Sequence, residues 1–242
     1  MSPDPALELK QKQFNAAMEL YEKAGIYKAI GKMVSTANVS LQVYLLYLVL
    51  PLSLGWPLQI LSFFAAYLAT DFINGLVHMF MDSNDDYDSA AGPLIAAFHL
   101  HHKTPLYKKN NIVLVYFNES GAKNWLAGYL LLAVILIRTT AIHPALSHGI
   151  VYIGILSSVA EVSHYCCHVT DSGIARLLRY LGLFLSKKHH GRHHITDNVN
   201  YAFLNGLTDP LLNVIARKYS RGYKNTTDRH YAAYTGSGTA NR

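Results

Sequence analysis

Between Met33 and Thr70 the chain carries no Asp, Glu, Lys or Arg. One bilayer crossing takes roughly 20 apolar residues, so this run predicts two spans joined by a tight turn. The turn falls in LSLGWP (52–57), where Gly55 and Pro57 break a helix and Trp56 suits a membrane interface. A second apolar region, from about Trp125 to Ala160, is interrupted by Arg138 and IHPALSH (142–148) and predicts two more spans. Ordinary buried helices of a soluble protein do not need charge-free runs of this length. Near the start, Phe14, Met18 and Tyr21 share one face at helical spacing. They predict a helix lying on a membrane surface, or an ordinary soluble one. GIARLLRYLGLFL (173–185) predicts another interfacial helix, too short and too basic to span, and YTGSGTANR (234–242) a loose tail.

Composition agrees with a membrane solvent. Apolar residues make up 51% and charged residues 15%, well under the charged share of about 25% in soluble domains. The position of the charge says more than the net value of +6. The turns near Gly55 and Pro144 have no Lys or Arg, apart from Arg138 ahead of the second. The first segment has Lys10, Lys12, Lys23, Lys28 and Lys32, and the 82–123 connection has Lys103, Lys108, Lys109 and Lys123. The chain from Lys187 onward is also basic. The positive-inside rule then puts both termini and that connection in the cytoplasm. Residues 1–32 are too charged for a cleaved leader. The expected architecture is all-α and polytopic, with about four transmembrane helices and a cytoplasmic histidine-rich cap. Residues 1–37 would form an amphipathic arm, 38–215 the membrane domain and 216–242 a basic flexible tail. Cys166 and Cys167 are adjacent and lack a CxxC partner, so packing is their expected role.

Ten of the thirteen histidines fall in four groups: DFINGLVHMFMD (71–82), FHLHHKTP (98–105), EVSHYCCH (161–168) and KKHHGRHHITDNVNY (187–201). His78 and Asp82 are four apart, as are His164 and His168, and such pairs differ by about 40° around a helix. Asp71 and Glu161 lie close to the same faces, and a carboxylate near a membrane span is costly and usually functional. His190, His193 and His194 combine i,i+3 and i,i+4 spacing. Under the expected topology all four groups meet at one membrane face, which is how helical scaffolds assemble metal sites. About ten candidate ligands exceed one tetrahedral zinc. They suit two metal ions with open positions, and imidazole is a good ligand for iron. Taken alone, the 187–194 group could instead be a basic patch for lipid headgroups. His143, His148 and His230 are not expected to be ligands.

DFINGLVHMFMD, HHKTP, HYCCH and KHHGRHHITDNVNY, followed by NGLTDPLLN, resemble in order and spacing the lipid desaturase family of plasmanylethanolamine desaturases, CarF and Kua proteins and a plant phosphatidylglycerol desaturase. The resemblance spans roughly residues 58 to 215. It implies a four-span fold with two non-haem iron ions. Its ligands would be His78, Asp82, His101, His102, His164, His168, His190, His193 and His194, with His189 a candidate for the surrounding shell. The resemblance also implies an oxygen-dependent oxidation of an alkyl or acyl chain of a phospholipid. Asn198 stands where family members generally have histidine, and with Asp71, His99 and Glu161 it is carried as a candidate for the surrounding shell or an alternative ligand. His99 and Leu100 replace a common arginine and acid, and LYKKNNIVLVYFNESGAKNW departs from the family's pattern.

No flavin or haem motif is visible, so the electron donor would be a separate b-type cytochrome, or a ferredoxin with its reductase. Nothing points to a nucleic-acid partner. Two rivals stay open at this level: a hydroxylase with the same centre, and a non-enzymatic membrane adaptor or signalling protein with a structural metal.

Overall fold

The computed structural model describes residues 4–103, 110–169 and 172–235. Among them the regular structure is all helix: α1 (Pro5–Lys23), α2 (Gly25–Val49), α3 (Trp56–Ser83), α4 (Gly92–Lys103), α5 (Ile112–Ser120), α6 (Asn124–Thr139), α7 (Pro144–His168), α8 (Gly173–Tyr180), α9 (Lys187–Ile195), α10 (Asp209–Tyr219) and α11 (Thr227–His230). The expected turns are present. α2 ends at Val49 and α3 opens with Pro57 in its first turn. α7 starts at Pro144, capped by His143 Nδ1, which accepts from the Ala145 amide at 3.2 Å. Residues of both turns line one small recess at the same end of the bundle. His78, Asp82, His164 and His168 therefore sit at the other end of α3 and α7.

α3 and α7 form the most extensive helix pair, because small residues let their backbones approach. Ala66 and Thr70 on α3, and Ser157, Ala160 and Ser163 on α7, are buried, the pattern of packing in lipid, where dispersion and interhelical hydrogen bonds replace the hydrophobic drive. Asn74 Nδ2 donates to Ser157 Oγ at 3.1 Å, and Gln42 Nε2 on α2 donates to Gly154 O at 3.0 Å and Ser158 Oγ at 2.8 Å. Leu58, Leu61, Phe64 and Leu68 of α3 and Leu131, Leu132 and Ile135 of α6 point outward, the surface a bilayer would cover.

Length and composition let α3 and α7 cross a membrane, or three segments if α5 and α6 count as one crossing bent by 87°. Four simple spans were expected. α6 has only 16 residues, and α2 carries buried Ser35, Asn38 and Gln42 along its inner face. At the bend, Asn38 Nδ2 donates to Ser120 O at 2.8 Å and Lys123 O at 3.3 Å, satisfying carbonyls that the break frees.

The arm and the tail differ from expectation. α1 does not present Phe14 and Met18 to a surface. Both are buried in a cluster with Tyr87, Ile95, Leu100, Tyr231 and Tyr234, with Tyr21 packed beside it. The supposed flexible tail is folded onto the helical cap as far as Thr235, and residues 236–242 lie outside the described residues, as do Lys108, Lys109 and the Thr104–Pro105 end of the second histidine motif. The boundaries expected at 37 and 215 fall inside α2 and α10. Of the helix expected over 173–185, α8 covers Gly173–Tyr180, with Ile174, Leu177 and Tyr180 exposed. Cys166 and Cys167 are buried free thiols.

Gly121 sets the contact between α2 and the α5–α6 bend, since a Cβ there would lie 2.4 Å from Gly31 O and 2.6 Å from Ser35 Oγ. Gly121→Ala is expected to cost about 1–3 kcal/mol and lower the melting temperature in detergent. Gly128→Ala, in open space on α6, should leave it unchanged or raised.

Candidate metal centre

Nine side chains from four helices gather into two adjoining groups. One holds His101, His164, His168, His190 and His194; the other holds His78, Asp82, His102 and His193. Helical geometry sorts them. Residues four apart share a face, so His78 with Asp82, His164 with His168, and His190 with His194 each stay together. Adjacent residues differ by about 100°, so His101 and His102 part into different groups, as do His193 and His194. α4 and α9 thus each serve both groups, while α3 and α7 serve one apiece. The groups abut: the His102 and His194 rings are 5.1 Å apart and those of His190 and His193 5.8 Å.

The five-histidine group converges on its ε-nitrogens. His168 Nε2 lies 3.0 Å from His101 Nε2, 2.8 Å from His190 Nε2 and 3.3 Å from His164 Nε2, and His194 Nε2 lies 3.0 Å from His190 Nε2. One ring nitrogen carries a single hydrogen or a single lone pair, so His168 can satisfy one of its three neighbours at most. Nitrogens bound to one metal at about 2.1 Å would lie about 3 Å from adjacent ligands. The spacing fits a shared cation. Outside the membrane helices, burial and the neighbouring imidazoles hold His101, His190 and His193 well below the ordinary histidine range, and bring His194 to about 3. These rings are neutral at pH 7, the form that binds metal.

The second group is held from outside. His78 Nδ1 lies 2.8 Å from Tyr201 O, His193 Nδ1 3.0 Å from Val199 O, and His102 Nδ1 3.2 Å from Asp228 Oδ1. Carbonyl and carboxylate oxygens only accept, so each Nδ1 carries the hydrogen. The neutral rings of His78 and His193 turn an Nε2 lone pair inward. His102, which burial alone would lower, is raised above the ordinary histidine range because Asp82 and Asp228 outweigh that burial. The three Nε2 atoms lie 3.4–3.5 Å from the Asp82 carboxylate. Both Asp82 oxygens, His102 Nε2 and His193 Nε2 are buried without a hydrogen-bond partner. Such orphaned atoms are costly, and a cation among them would satisfy all of them at once. Burial alone would raise Asp228, but hydrogen bonds from His102 and Lys224 bring it down to about 2, so it is ionised beside the ring it orients.

The other candidates have different work. Asp71 Oδ1 accepts from the amides of Leu204, Asn205 and Gly206, and Oδ2 from the Thr208 amide and hydroxyl. It ties the NGLTDP loop to α3. Glu161 pairs with Lys123 at 3.0 Å and lies 3.6 Å from His164 Nδ1, outside the two groups. His99 bridges Tyr87 OH and Met81 O, and burial lowers it to about 4. His189 points to Asp209 at 2.6 Å. Asn198 has φ 55° and accepts from Tyr201 OH at 3.1 Å. It makes the left-handed turn that delivers the 199–201 carbonyls, a conformation Asn tolerates. His143 and His148 lie at the opposite end of α7, and His230 contacts Tyr87 at 3.1 Å.

Several working residues had no signal in the sequence. Asp228, the Val199 and Tyr201 carbonyls, and Tyr223, whose hydroxyl donates to His193 O, are distant in the chain or act through backbone. Phe203 stacks on His164 with centroids 4.2 Å apart at 6°, and sits 4.3 Å from His78. It covers both groups where they meet a cavity of about 810 Å³. That cavity runs between α2, α3, α4 and the α5–α6 bend, lined by Val77, Met81, Leu94 and Phe98, and reaches His78, His101 and His164.

Asp82 is the only carboxylate in either group. Asp82→Asn keeps the shape but removes the charge, and is expected to lower metal content in protein that still folds, read by elemental analysis. His143→Ala should leave it unchanged. Asp228→Asn should weaken metal binding about 10–100-fold, as loss of a group orienting a ligand typically does; equal metal content after dialysis against a graded chelator would count against it.

A lipid desaturase domain model matches residues 67–218, more than half the chain and all four histidine groups. No curated protein and no solved structure gives a match. With the helical bundle and two metal-fitting groups inside the matched region, the chain belongs to the lipid desaturase domain family.

Proposed function

We propose that this protein is a membrane-bound, oxygen-dependent di-iron desaturase acting on an alkyl or acyl chain of a glycerophospholipid, most closely in the manner of a plasmanylethanolamine desaturase forming a vinyl ether. The observation that supports it is the inner end of the cavity: an apolar volume large enough for a lipid chain meets histidines of both groups at once. His101, His164, His168, His190 and His194 would hold one iron, and His78, Asp82, His102 and His193 the other. When bound, iron supplies the oxidising power to take hydrogen from an unactivated C–H bond, which side chains lack. The protein's own part is placement. Val77, Leu94 and Phe98 hold the chain against the histidines, and Phe203 shields the imidazoles from water. Asp82 contributes the negative charge that neutral imidazoles do not.

Each double bond consumes one dioxygen, two electrons and two protons, and both oxygen atoms leave as water. The electrons come from a separate carrier, a b-type cytochrome or a ferredoxin with its reductase. Four spans with both termini cytoplasmic would put the histidine-rich cap and that carrier on the same side.

Protein purified in mild detergent from iron-replete cells is expected to hold one iron per histidine group. Lipid profiles of cells with and without the protein should differ by loss of two hydrogens in one phospholipid class, abolished by Asp82→Asn. Stoichiometric zinc without iron, or added oxygen in place of lost hydrogen, would overturn the assignment.

A further inference from the structure

The mouth of the cavity has chemistry that its apolar walls do not require. Lys28 and Lys32 line it and are exposed. Four apart on α2, they stand on one face a turn apart. Four of the described lysines are paired with carboxylates, Lys10 with Asp85, Lys23 with Glu19, Lys123 with Glu161 and Lys224 with Asp228. Among the described residues Lys28 and Lys32 have no such carboxylate. Glu22, also at the mouth, accepts from Tyr234 OH at 2.9 Å. The start of α2 has no side-chain cap and no acid in its first turn, so its amides add positive potential near Lys28. The cavity lining thus combines this exposed lysine pair, the acids Glu22 and Glu119, an apolar wall, the Lys123–Glu161 pair and the histidines. Its volume of about 810 Å³ lies within the usual range for ligand pockets, about 300–1,000 Å³.

We propose that Lys28 and Lys32 bind the phosphodiester of a glycerophospholipid at the cavity mouth, while one chain of the same molecule runs past Val77 and Phe98 to the histidines. The lysines thereby set the depth at which the chain meets the two groups. This deepens the desaturase reading by assigning its headgroup site, and it is tested without turnover.

Full-length protein in neutral detergent is titrated with a pyrene-tailed phosphatidylglycerol and with the diacylglycerol bearing the same tails. Wild type is expected to bind the phospholipid more tightly. The double variant Lys28→Ala/Lys32→Ala should lose about tenfold of that affinity with diacylglycerol binding unchanged, and Lys28→Arg/Lys32→Arg should retain it. Val77→Trp, which fills the apolar wall, should weaken both ligands. Equal binding of the two ligands by wild type, or an unchanged double variant, would overturn the proposal. Displacement of the phospholipid's advantage by millimolar inorganic phosphate would also overturn it, assigning the lysines to a free anion. Failure here leaves iron content and chain desaturation untouched, and absence of desaturation leaves the binding result standing.

Discussion

Neutral imidazoles pressed together in a buried space are the constraint around which this fold is arranged. His168 Nε2 faces three other ring nitrogens at 2.8–3.3 Å, and no distribution of single protons satisfies that set. The Asp82 carboxylate, buried without a hydrogen-bond partner, sets the same demand in the neighbouring group. Packing of α3 against α7 brings these atoms together, so the bundle's own stability is spent on a region that needs a cation to be satisfied. Such concentrations of unmet polar groups belong to functional sites rather than to ordinary cores.

The two groups are secured differently. In the Asp82 group every imidazole has its outer nitrogen fixed by an acceptor, Tyr201 O, Val199 O or Asp228. Those acceptors are themselves anchored. Asp71 gathers the amides of Leu204, Asn205, Gly206 and Thr208, and Lys224 holds Asp228 at 2.7 Å. The five-histidine group has no carboxylate among its ligating atoms; its nearest acid, Glu161, is taken up by Lys123. One group therefore contains a carboxylate and is rigidly oriented, and the other is imidazole-rich. Outer partners of this kind tune ligand basicity, so the two positions offer unequal environments to whatever they bind.

Local regularities account for what could be read without coordinates. Charge-free runs, the breaks at LSLGWP and Pro144, and i,i+4 pairs are features of short windows, and helix periodicity converts them directly into geometry. The nine residues expected as ligands are the nine that the fold gathers, because each lies on a helix whose repeat already aimed it. The same logic explains the misplaced emphasis on Asp71. Helical phase puts it near the His78 face, but phase does not say whether a metal or a loop of backbone amides arrives there.

By itself, then, the sequence determined the helices, their apolar and histidine-bearing faces, and the turns at LSLGWP and Pro144. Tertiary structure decided the rest. It brought the histidine-bearing faces of α3, α4, α7 and α9 to one place. The α5–α6 bend was permitted by Asn38, whose partners lie more than eighty residues away. The last segment was turned from a polar tail into the support of His102 and the cover of Phe14. The physical reason is the same in each case: a helix repeat is a property of neighbours in sequence, whereas hydrogen bonds between distant segments and the cavity they enclose exist only once those segments have met.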